Sequence, residues 1–89
     1  MEKAFQAALR GLQLYSVEFK ERGTSYMLRV KHQDFTYRMF IEHDDDGLVY
    51  RDAIFNKDGK HGCNSYHPAM DVEWLVHRAV KRIKAYMEI

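Results

Sequence analysis

The chain holds a single cysteine and a single proline in 89 residues. One cysteine excludes an internal disulfide, and the sparing use of thiols fits a reducing, cytoplasmic setting. A CxxC pair of the kind that anchors structural zinc is also excluded. No apolar run approaches the roughly 20 residues that a helical membrane span needs, so no membrane partner is expected. The N-terminal stretch MEKAFQAALRGLQLY is amphipathic and lacks a charged segment followed by an apolar one, which argues against a secretory signal. Neither charge sign dominates. Fourteen Lys and Arg against 13 Asp and Glu give a formal net charge of +1, which is not the balance of a histone-like protein. Repeats, low-complexity tracts and Pro/Gly-rich linkers are missing, so residues 1–89 are expected to form one domain.

Hydrophobic residues make up 46 % and charged residues 30 % of the chain, which argues for a folded domain and against disorder. Phe5, Ala8, Leu9 and Leu12 recur at helical spacing and predict a helix over 2–13, weakened by Gly11. The period then falls to two. Tyr15, Val17 and Phe19 alternate with polar residues, as do Tyr26, Leu28 and Val30, and then Phe35, Tyr37, Met39 and Ile41. LVYRDAIF reads as a fourth strand, and a short fifth is expected near 60–66. The intervening ERGT, HQD, HDDDG and NKDG read as tight turns, so the strands form an antiparallel meander. In the last segment Val72, Leu75, Val76, Ala79, Val80, Ile83 and Met87 line an apolar stripe. Pro68 is expected at the first helical position, and cations gather toward the C-terminal end, where the helix dipole favours them. The fold class is therefore α+β: an N-terminal helix, four or five antiparallel strands, and a C-terminal helix. Both helices pack on the apolar face of the sheet.

The opposite strand phase is left wet. If HDDDG closes a short hairpin, Ile41 lies near Tyr50 and Tyr37 near Ile54. The wet phase then carries Arg29, Lys31, Arg38, Phe40, Arg51 and Phe55. Cations neutralise phosphates and aromatic rings stack bases, so RNA or single-stranded DNA is one partner this mixture suits. Apolar side chains rimmed by charge equally mark a surface for another protein. Pairing of sheets or helices between two copies, a homodimer, is a third expectation.

Three further spots carry candidate chemistry. In HGCNSYHP, His61, Cys63 and His67 are of types that zinc accepts. For a thiol nucleophile, His61 or His67 would be the base and Asn64 or Asp52 its orienter. The cheaper reading is a polar loop feeding the last helix, with no metal and no cofactor. In HDDDG, Asp44, Asp45 and Asp46 lack the spread of about twelve residues over which an EF-hand places its ligands. They read as turn residues and as a solvated acidic tip for a basic partner. Asp52 falls on the apolar phase of its strand. That position suits a perturbed catalytic acid, an edge position, or an acid paired with a nearby Arg, Tyr or amide.

No phosphate loop, catalytic carboxylate motif or nucleophile elbow is present, so no enzyme activity is expected. The reading that follows is a small non-enzymatic protein-binding module. An inhibitor or adaptor of phage or mobile-element type, blocking a host protein by covering its surface, has this size and style. Nucleic-acid binding on the sheet face and a small zinc-binding domain are the alternatives.

Overall fold

The computed structural model describes residues 1–87. Along the chain come α1 (Glu2–Leu9), β1 (Ser16–Arg22), β2 (Ser25–Lys31), β3 (Phe35–Asp44), β4 (Gly47–Asn56), β5 (Gly59–Gly62), β6 (His67–Ala69) and α2 (Val72–Met87). Strands β1 to β5 lie side by side in chain order, each antiparallel to the next, and β6 also pairs with β4. Two of the hairpin turns share one chemistry. Asp44 Oδ1 accepts the Asp46 N–H at 2.9 Å, and Asn56 Oδ1 accepts the Asp58 N–H at 3.0 Å. A glycine then follows at positive φ, Gly47 at 123° and Gly59 at 115°. HDDDG and NKDG turn because a short polar side chain caps the bend and the next residue has no Cβ to clash.

The register sets Ile41 opposite Tyr50 and Tyr37 opposite Ile54, as the alternation predicts. Leu28, Val30, Tyr37, Met39, Ile41, Tyr50 and Ile54 are buried on one face. They share a core with Phe5 and Leu9 of α1 and with Leu75, Ala79 and Ile83 of α2. Both helices therefore cover the same side of the sheet, and the other side is left open. Among the described residues no helix is long and apolar enough to cross a membrane.

Two helix boundaries differ from the periodicity. Helix α1 stops at Leu9, short of residue 13, because Gly11 favours a bend and the Leu12 N–H bonds the Leu9 carbonyl at 3.1 Å. Helix α2 starts at Val72 and not at Pro68. Asp71 caps it, accepting the Trp74 N–H at 2.8 Å. Pro68 instead sits in the outer strand β6 opposite Val49, an edge position that tolerates a missing N–H.

The expected fifth strand is broken in two. Gly62 opposes Ala53 and His67 opposes Tyr50, so residues 63–66 bulge out against Arg51 and Asp52. Gly62 is what lets the edge approach. A Cβ there would lie 2.7 Å from Ala53 Cα and nearer still to the Asp52 carbonyl oxygen. Backbone cannot yield to such an overlap, so Gly62→Ala is expected to push β5 off the sheet at a cost of about 2 kcal/mol. Urea unfolding would measure it, and a loss under about 0.5 kcal/mol, the scale of an ordinary surface change, would contradict the packing.

Candidate functional site

The open face is built in rows that run across the strands. Ser16, Lys31, Thr36, Phe55 and Lys60 make one row. Glu18, Arg29, Arg38, Ala53 and Gly62 make the next. Lys20, Met27, Phe40 and Arg51 follow, and then Arg22, Ser25, Glu42 and Val49. All six residues expected on the wet face, Arg29, Lys31, Arg38, Phe40, Arg51 and Phe55, thus share it. Lys20, Arg22 and Lys60 join them from the outer strands. Glu18 and Glu42 are the only acids in these rows. A chain of net charge +1 therefore concentrates its positive charge on one side.

The cations fall into two groups. Arg29 Nε donates to Glu18 Oε1 at 2.8 Å across β1 and β2, and this bond holds the Glu18 carboxyl below its ordinary range. Ser25 Oγ donates to Glu42 Oε1 at 2.8 Å, occupying the second acid. Arg38 and Arg51 have no acidic partner among the described residues. Each lies on an aromatic ring. The Arg38 guanidinium carbon is 5.3 Å from the Phe55 ring centroid. That of Arg51 is 4.7 Å from Phe40 and 5.3 Å from Tyr66. Cation–π contact fixes these side chains without consuming their N–H donors. Tyr66, 41 % exposed and carried by the bulge of residues 63–66, is a member of this face that strand alternation does not reveal.

The bulge also decides the fate of HGCNSYHP. Cys63 Sγ lies 3.0 Å from His67 Nε2, so the structure brings these two together. His61 does not join them, so the three candidate zinc ligands are not brought together. Strand β5 ends at Gly62, so the alternation breaks before Cys63. His61 Nε2 instead contacts Asn56 Oδ1 at 3.1 Å, and its ring lies 5.8 Å from that of Tyr86 on α2. No group of three His, Cys, Asp or Glu side chains able to hold a metal ion occurs among the described residues. The expected orienters of a thiol site are occupied elsewhere. Asn64 takes the Lys60 ammonium, and Asp52 points to the helix side.

Asp52 is 3 % exposed and fully partnered. It accepts from the Tyr37 hydroxyl at 2.7 Å and from Arg78 Nε and Nη2 at 3.0 and 3.2 Å, with Arg82 Nε at 3.9 Å. Arg82 also donates to the His61 carbonyl at 2.7 Å. Of the cations that gather toward the C-terminal part of the last helix, Arg78 and Arg82 are clamps from α2 onto β4 and β5. Asp52 belongs to the pairing reading of its out-of-phase position.

The same cluster pushes the Tyr37 phenol well above its ordinary value, first through burial and then through the Asp52 charge. An unfolded tyrosine ionises near pH ~10, whereas the native one holds its proton to higher pH. The stability linked to Tyr37 is therefore full below about pH 10 and is lost as pH rises beyond it. Tyr37→Phe is expected to flatten the alkaline limb of urea midpoint against pH. An alkaline limb identical to that of the parent would contradict this.

Two other surfaces bear on partners. Asp44, Asp45 and Asp46 are exposed at the β3–β4 turn, where Asp44 serves the turn itself. On the helix side, Met70 (82 % exposed) and Trp74 (36 %) line a shallow groove with Ala8, Val76, His77 and Val80. No protein-family model, curated protein or solved structure matches the chain.

Proposed function

We propose that the chain is a non-enzymatic protein-binding module that docks its open sheet face on an acidic surface of another protein, as an inhibitor or adaptor that covers that surface. The layout of the face carries this reading. Arg38, Arg51, Phe40 and Met27 occupy the two central strands' neighbourhood, with Phe55 and Tyr66 against them, while Lys20, Lys31 and Lys60 stand at its edges and ends. Protein interfaces are enriched in Arg, Met and aromatic residues at their centres and depleted of Lys there. Nucleic acid is less well served. A stacking base needs an open ring face, and a guanidinium already occupies one side of Phe40, Phe55 and Tyr66.

Native mass spectrometry on untagged protein, purified gently from the cells that make it, tests the proposal. The expected spectrum shows a stoichiometric protein partner that leaves as salt is raised. A co-purifying nucleic acid in its place would overturn the reading.

A further inference from the structure

Between the two aromatic stacks the open face has a hollow. Ala53, which opposes Gly62 across the β4–β5 pair, lies in it, and Lys60 and Cys63 line it too. Arg38 and Arg51 flank Ala53, one across the strand pair and one along β4, and Phe40 and Phe55 wall the ends. The hollow has a volume of about 40 Å³, room for a small group. The Nε–H of Arg38 and that of Arg51 are buried with no hydrogen-bond partner among the described residues. Both side chains line this one hollow and neither has an acidic partner among the described residues, so the pair suits an acceptor seated there. The walls are mostly carbon, which suits an acceptor that arrives on an apolar stem. A freely hydrated phosphate has no such stem.

We infer that this hollow is an anchor subsite for one carboxylate side chain, Asp or Glu, of the protein partner, held between the Arg38 and Arg51 guanidiniums. The inference rests on the docking role proposed above and names its recognition element. Guanidinium presents fixed donors that match a carboxylate, and the ring beneath each one limits where it can turn. The other face cations then steer the partner in, while this pair sets the register.

The test uses the whole chain and a short capped oligoglutamate peptide at low salt, followed by NMR of the Arg Nε–H signals. The Arg38 and Arg51 signals are expected to shift together along one saturating curve. Arg38→Gln or Arg51→Gln should weaken the peptide about tenfold. Arg51→Lys, which keeps the charge and loses the fork, should weaken it nearly as much. Ala53→Leu, which fills the hollow and changes no charge, should do the same, with folding of each variant checked by its backbone spectrum. Lys20→Gln should cost less than any of these.

If the peptide binds but Lys20→Gln costs as much as Arg51→Gln and Ala53→Leu costs nothing, attraction is diffuse. The subsite is then overturned while the docking face stands. Equal shifts with inorganic phosphate would also overturn the subsite. If oligothymidylate moves both signals and the peptide moves neither, the subsite and the docking reading fall together.

Discussion

Asp52→Ala is expected to cost about 3 kcal/mol of stability, the scale for removing one partner of a buried ion pair. The cost arises because the groups it leaves behind are poorly placed to recover. Tyr37 is 0 % exposed, and its hydroxyl would lose its only hydrogen-bond partner among the described residues. Arg82 Nε already lacks a partner and would lose its nearest carboxylate. Arg78, the more exposed of the two, can turn to water, which keeps the loss at the lower end of the range for buried pairs. Domains of this size have about 5–15 kcal/mol in total, so the variant should melt roughly 10–20 °C lower. Asp52→Asn keeps an acceptor for Tyr37 and should lose less. Thermal and urea unfolding of both variants decide the matter. A loss below about 1 kcal/mol for Asp52→Ala would mean that α2 is held by its apolar stripe alone.

Reversing Arg38 and Arg51 together to glutamate is expected to weaken the partner at least ~100-fold. Like charges brought face to face cost several kcal/mol, and every tenfold in affinity is about 1.4 kcal/mol. The loss should appear mainly in the dissociation rate, because the pair lies at the centre of the face and not at its rim. Fold stability should change less than binding, since neither arginine has an acidic partner among the described residues and each gives up only its contact with an aromatic ring. Reversal of Asp44, Asp45 and Asp46, exposed on a separate hairpin tip, should leave that complex intact. The contrary pattern, with binding kept through the arginine reversals and lost at the aspartates, would move the site to the turn.

Much of this architecture is readable in the residues. The period of two from Tyr26 to Phe55, punctuated by HDDDG, carries strand register as well as strand existence. A slip of one residue would have sent Ile41 and Tyr37 to water. The six expected face residues therefore share a face as alternation requires. Alternation fails where the chain leaves the ladder. Nothing local in HGCNSY announces that β5 ends at Gly62, and the close packing of Gly62 on the backbone of β4 is a tertiary contact. Spacing alone therefore does not place His61 and Tyr66. Arg78 and Arg82 look like ordinary solvent-facing cations at helical spacing. The signal that two cations must turn inward is Asp52 itself, an acid on an apolar phase, which requires a partner from the helix above. Pro68 misleads in the same manner, since proline suits a helix start and an edge strand equally, and the capping bond of Asp71 decides between them.

Hydroxyl-radical footprinting of the purified complex addresses the central claim most directly, because oxidisable side chains stand on both sides of the molecule. Met27, Phe40, Phe55 and Tyr66 report on the open sheet face, and Met70 and Trp74 report on the helix-side groove. Docking through the sheet predicts that partner binding protects the first set and leaves Met70 and Trp74 as reactive as in the isolated chain. Protection of Met70 and Trp74 with Phe40 and Tyr66 unchanged would contradict it and transfer the interface to the helices.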